Sequence, residues 1–161
     1  MSFFSLELNK KIPKMKIRRA NLEDHKSIVA HNQAMAMETE NRRLDADKIE
    51  PGVAAVLNDP NKGFYLVAEE NGNVIGSLMV TYEWSDWRNG MMWWFQSVYV
   101  LPEGRGKGIF KAMYNEVMTL AKAADAKELR LYVEKENVNA QKVYAALGMR
   151  VSHYDMWEVE V

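Results

Sequence analysis

VYVLPEGRGKGIFK, residues 98–111, reads as an apolar strand that passes through a glycine-punctuated basic turn straight into a helix. The helix is expected to begin near Gly106 and to continue through KAMYNEVMTLAKAA. There Ile109, Ala112, Met113, Val117 and Leu120 fall at helical spacing on one apolar stripe. The amino terminus of such a helix points at the turn, and its free amides and positive dipole end favour an anion. Gly106 and Gly108 remove side chains that would keep a phosphate from the backbone, and Arg105, Lys107 and Lys111 add positive charge. The stretch reads as a phosphate cradle. By itself it is also compatible with a plain glycine-rich connection carrying solubilising charges. No Gly-Lys-Ser or Gly-Lys-Thr follows a suitably spaced glycine, and there is no Gly-x-Gly-x-x-Gly, so neither a triphosphatase loop nor a dinucleotide turn fits.

Downstream, LRLYVEKENVNAQKVYAALGM from Leu129 to Met149 reads as a strand, a helix capped by Asn137 and a stop at Gly148. Strand, basic glycine turn, helix, strand, then Asn-x-x-Ala-x-x-x-Tyr and Leu-Gly-Met together resemble the GNAT superfamily of N-acetyltransferases. The resemblance runs from Ile17 to the end and is strongest from Val98 to Met149. The family's turn has Gln or Arg, two free positions, Gly, one free position, then Gly or Ala. Here Arg105 and Gly108 match, Gly106, Lys107 and Ile109 fill the free positions, and Phe110 stands where a small residue is usual. Turned inward, Phe110 continues the apolar face begun by Ile109.

The resemblance implies acetyl-coenzyme A as co-substrate. It places the backbone of Val98, Tyr99 and Val100 against the pantetheine arm and Arg105 to Lys111 around the pyrophosphate, with Asn137 and Ala140 lining the far side. Tyr144 matches the family tyrosine whose phenol protonates the departing thiolate. A phenol with a pKa of about 10 keeps its proton at neutral pH and can serve as that acid. Taken alone, Tyr144 also reads as a helix aromatic packing on Val143 and Leu147.

Composition frames the rest. The chain has 161 residues, 48% of them hydrophobic, which is enough for one domain with a core. We expect an extension over residues 1–14 and a single domain over 15–161. A net charge of −1 does not indicate a nucleic-acid surface or a polybasic membrane anchor. The absence of cysteine removes disulfides and any acyl-cysteine intermediate. No apolar run approaches the roughly 20 residues that span a bilayer, and MSFFSLELNKKIPKMK does not read as a secretory signal, so the cytoplasm is the expected compartment. His25, His31 and His153 lack metal-ligand spacing, no metal is expected, and no Gly-x-Ser-x-Gly elbow is present.

Local signals predict a strand at Lys16–Arg19 and a helix after Asn21 to about Met37, opened by a capping box between Asn21 and Asp24. A second helix is expected from about Asp45 to Leu57, interrupted or begun anew near Pro51 and Gly52. FYLVAEE and VIGSLMVTYEW, joined at Asn71-Gly72, read as a hairpin, and MMWWFQSVYV as the strand feeding the basic turn. MRVSHYDMWEVEV alternates enough for two short strands or one bent one. The expected fold is mixed α/β, with a twisted, mostly antiparallel sheet of six to seven strands flanked by about four helices.

By the same resemblance the acceptor lies near Glu40, Arg42, Arg43, Glu83, Asp86, Trp87, Arg88, Trp93 and Trp94. Carboxylates beside aromatic walls suit a cationic amine, such as a polyamine, an amino-sugar or a lysine-like group. The tryptophans equally read as core or as a dimer seam, and Glu83 and Asp86 as hairpin charges. Glu83 is the candidate base that takes the ammonium proton, directly or through water, and Ser97 the residue that positions such a water. The expected reaction is direct transfer of acetyl to a primary amine of a small molecule or a peptide or protein lysine in a ternary complex. The alternative is a non-catalytic acyl-coenzyme A binding or sensing module. A homodimer through the aromatic strands and the carboxyl-terminal strand is expected by analogy with the family.

Overall fold

The structure, a computed structural model, describes residues 15–161. The expected extension over residues 1–14 lies outside the described residues. Two compact units are present, one ending at Leu131 and the other running from Tyr132 to Val161.

The first unit is built on one sheet. Its strands are β1 (Lys16–Arg19), β2 (Phe64–Glu70), β3 (Asn73–Ser85), β4 (Gly90–Val100) and β5 (Glu128–Leu131), side by side in that order. The first three pairings are antiparallel and the β4–β5 pairing is parallel. The sequence signals for β2 and β3 hold because their turn is local chemistry. Asn71 and Gly72 both adopt left-handed φ, +52° and +80°, as a two-residue hairpin turn demands.

Two helices, α1 (His25–Glu40) and α2 (Ala46–Asn58), precede β2. The capping box is present: Asp24 Oδ2 accepts from the Asn21 amide at 2.8 Å, and the Asn21 side chain in turn caps the helical start. Helix α1 continues to Glu40, past the expected end at Met37. Nor does Pro51 interrupt α2, which runs through it. The bond lost at the proline is offset by the Asp45 cap on Asp47 N–H and by burial of the face carrying Ile49, Val53, Val56 and Leu57. That face joins Ile28 of α1 and Tyr65 and Val67 of β2 in an apolar cluster on one side of the sheet.

The opposite side is covered by α3 (Ile109–Ala123), which buries Ile109, Met113, Tyr114, Val117 and Ala121. Phe95 of β4 stacks on Tyr114 with centroids 5.5 Å apart. Gly76 lets α3 sit close to β3, since a Cβ there would lie 3.3 Å from Ile109 and 3.4 Å from Met113. The helix begins at Ile109 rather than near Gly106. Gly106 and Gly108 have φ of +73° and +78°, which no right-handed helix contains.

The second unit holds α4 (Val138–Ala146), capped by Asn137, whose Oδ1 accepts from Ala140 N–H at 3.1 Å, and closed at Gly148 with φ +87°. The expected strand or strands over MRVSHYDMWEVEV are not formed, so among the described residues the sheet has five strands instead of six or seven. A strand needs a neighbour to take its amides, and no described residue pairs with this segment.

Candidate functional site

The basic turn is where local sequence and geometry agree. A single 3-10 turn, Pro102–Gly104, leads from β4 into it, and Gly108 stands at the cap position of α3 with no side chain taking the first amides. Those amides have no partner within the helix. A Cβ added at Gly106 or Gly108 would meet nothing within 4 Å. The glycines are therefore required by their backbone angles, and open space lies over them. Lys107 and Lys111 are exposed beside this space. Backbone amides at a helix start and two cations fit a phosphate.

Immediately upstream, β4 is irregular. Met79 faces Gln96 and Ser77 faces Tyr99, so β4 carries one residue more than β3 across this interval. Ser97 sits in the bulge with φ +49°, a strained value for a residue other than glycine. An extra residue of this kind interrupts the ladder locally.

The chain matches the family described as Acetyltransferase (GNAT) family over residues 26–149. It belongs to that family. A solved structure of a possible acetyltransferase from Clostridium difficile 630 is 44% identical, covers 91% of this chain and 97% of its own, and superposes with a TM-score of 0.86. An aminoalkylphosphonate N-acetyltransferase of Salmonella typhimurium is 27% identical over 89% of this chain and 90% of its own. A thialysine N-epsilon-acetyltransferase of Bos taurus is 32% identical over 67% of this chain and 57% of its own.

Within this GNAT chain the residues singled out from the sequence fall into three groups. Val98, Tyr99, Val100 and Arg105 to Lys111 lie together at the end of β4, in the turn and in the first turn of α3. Phe110 is half-buried, its ring 6.3 Å from Tyr114 one helical turn on. Asn137, Ala140 and Tyr144 lie in the second unit on α4 or its cap. Tyr144 is half-buried, and burial raises its phenol pKa.

Glu83 forms the third group. Its Oε2 accepts from Trp94 Nε1 at 2.7 Å and lies 3.3 Å from Arg130 Nη1. Arg130 also bonds Glu128, which in turn pairs with Arg88. The tryptophans separate: Trp93 is 6% exposed and packs edge-on against Phe64, whereas Trp87 is 91% exposed in the hairpin loop. Trp93 therefore serves the core. Arg42 pairs with Glu40 on the surface.

Three features were not found from sequence. One is the bulge at Ser97. Another is the Gln96 Nε2 to Thr81 Oγ1 bond, 2.6 Å, beside Trp94 on the same face as Glu83. The third is Glu38, which bonds both Tyr99 and Arg105. A pairing of residues 61 and 67 positions apart leaves no local pattern to read. Among the described residues no group of three His, Asp or Glu side chains is arranged for a metal, and no helix is long and apolar enough to cross a membrane.

Proposed function

We propose that this GNAT chain is an N-acetyltransferase that moves the acetyl group of acetyl-coenzyme A directly to a primary amine. The observation that carries the reading is the open glycine turn at the start of α3, capped by no side chain and flanked by Lys107 and Lys111, downstream of the bulge in β4. Acetyl-coenzyme A supplies an acetyl group activated as a thioester. The turn from Arg105 to Lys111 surrounds its pyrophosphate, and the backbone of Val98 to Val100 holds the arm. Backbone amides of β4 at the bulge polarise the thioester carbonyl. Tyr144 keeps its proton at neutral pH, the more so for its burial, and gives it to the leaving thiolate.

An ammonium must lose a proton before its nitrogen can attack. Glu83 takes that proton, directly or through a water positioned by Ser97. Both of its bonds fall on Oε2, so Oε1 remains for the proton or the water. The acceptor is an amine that meets Glu83 and Trp94, and the relatives named for aminoalkylphosphonate and thialysine support an amine of small size. We place the two units in one functional domain and its work in the cytoplasm.

The carboxyl-terminal segment favours a homodimer. Val151, Trp157 and Val159 are 96, 92 and 86% exposed, and Trp157, Val159 and Val161 alternate with Glu158 and Glu160 as an amphipathic strand does.

Calorimetric titration with acetyl-coenzyme A, beside a Gly108→Glu variant, tests the reading. Binding that the variant abolishes is expected, followed by amine-dependent thiol release. Binding without thiol release across an amine panel would leave the non-catalytic alternative, and no binding would overturn both.

A further inference from the structure

The cofactor turn is fastened to α1. Glu38, in the last turn of that helix, uses both carboxylate oxygens. Tyr99 Oη donates to Oε1 at 2.8 Å and Arg105 Nη2 donates to Oε2 at 2.7 Å. Arg105 Nε donates to the Val100 carbonyl at 3.0 Å, and its guanidinium carbon lies 5.4 Å from the centre of the Tyr99 ring. Tyr99 is 6% exposed, with its ring 5.3 Å from that of His31, whose Nδ1 lies 2.8 Å from Ser77 Oγ. A continuous set of contacts thus runs from a buried pair between α1 and β3, through Tyr99, to the first residue of the basic turn.

On charge alone Glu38 is misplaced. A carboxylate paired to the first cation of a phosphate-binding turn repels a phosphate and neutralises part of the turn's charge. Its geometry gives it another role. The Tyr99 hydroxyl and Arg105 hold the carboxylate in its charged form, which keeps the acceptor charged at neutral pH. Arg105 is suited to its part because its rigid, planar guanidinium presents Nε and Nη2 to acceptors on two different elements at once.

We propose that Glu38 is a positioning residue for the cofactor turn. It makes Arg105 the turn's anchor, so that the anion is met by the backbone amides at the start of α3 together with Lys107 and Lys111. The proposal rests on the acetyl-coenzyme A reading above.

The test is titration of the full chain with coenzyme A at two salt concentrations, for the native protein and for Glu38→Gln, Tyr99→Phe, Arg105→Lys and Lys107→Ala. Hydrogen exchange of the turn amides without ligand is measured in parallel. Glu38→Gln removes a negative charge near a polyanion, so electrostatics alone would tighten binding. Positioning predicts the reverse, a roughly three- to ten-fold loss with the salt dependence unchanged. Arg105→Lys, which keeps the charge, and Tyr99→Phe, which keeps the ring, should lose affinity in the same way. Lys107→Ala should weaken binding and flatten its salt dependence. In the unliganded Glu38→Gln protein the amides of residues 105–109 should exchange faster. Tighter or unchanged coenzyme A binding in Glu38→Gln, or unaltered exchange in the turn, overturns the proposal. If the native chain binds no coenzyme A, the acetyl-coenzyme A reading fails, and the exchange data still decide whether Glu38 holds the turn.

Discussion

Trp94 Nε1–H donates to Glu83 Oε2 at 2.7 Å across the β3–β4 pair, fixing the carboxylate from one side while its second oxygen is left for other work. If Glu83 accepts the acceptor's proton, Glu83→Gln should lower turnover roughly 10²-fold with coenzyme A affinity unchanged. Trp94→Phe should have a smaller effect, because the base survives and only its orientation suffers. Steady-state thiol release with a responsive amine checks both, and native turnover in Glu83→Gln would remove Glu83 from the reaction.

Tyr144→Phe deletes one hydroxyl and keeps the ring. Turnover should fall by about 10²-fold while coenzyme A binds as before, since the lost group acts only as thiolate leaves. Comparing calorimetric affinity with the rate at saturating substrate separates the two quantities. Loss of affinity with an unchanged rate would mean that the tyrosine is packing and not an acid.

Acid should destabilise the first unit in two stages. Burial lowers the pKa of His31, so the unfolded chain binds a proton that the native one resists. Stability should therefore fall as pH drops from about 7 through the ordinary histidine range. Asp24, 4% exposed and bonded at 2.7 and 2.9 Å by Arg18, has a pKa held below the usual carboxylate range, chiefly by those bonds. Its contribution is complete above pH of about 4 and is lost as pH falls through the depressed value. Urea melts from pH 8 to 2 should show both limbs. His31→Gln should flatten the upper one. Asp24→Asn should cost about 3 kcal/mol at pH 7 and flatten the lower.

Gly63 precedes β2 with φ +138°, and an added Cβ would fall on the Val80 carbonyl oxygen and lie 3.1 Å from its carbon. That atom is backbone in the middle of the sheet and cannot move aside. Gly63→Ala should cost on the order of 3 kcal/mol in chemical denaturation. Gly52→Ala, with nothing near its Cβ and a helical backbone, should be neutral or stabilising by up to about 1 kcal/mol.

A homodimer sealed by the carboxyl-terminal segment should come apart when Trp157→Glu places a charge in that stripe. Sedimentation velocity is expected to show a two-chain species for the native protein and a one-chain species for the variant. A native protein that sediments as one chain at high concentration would exclude this use of the segment.

What could be read from the chain was what neighbouring residues decide. Asn71-Gly72 fixed a hairpin, Asn21 with Asp24 a helix start, Asn137 and Gly148 the two ends of α4, and the glycines after Arg105 an open turn. Helix α3 was expected too early because charge and glycine pattern do not reveal the sign of φ at Gly106 and Gly108. The alternation after Met149 was visible, but alternation states only that a segment can be a strand. Partners distant in sequence, such as Glu38 for Tyr99 and Arg105, had no local signature at all.

The extra residue at Ser97 changes the phase of β4. Upstream, Trp94 and Gln96 face the α1 side with Thr81; downstream, Tyr99 reaches that same side, three positions after Gln96 where a regular strand allows two or four. Deleting one residue here would leave composition and hydropathy almost untouched. It would nevertheless turn Tyr99 away from Glu38 and His31 and swing the basic turn's anchor to the wrong side of the sheet. The strand is thus two segments read in different frames, and Ser97 is the shift between them.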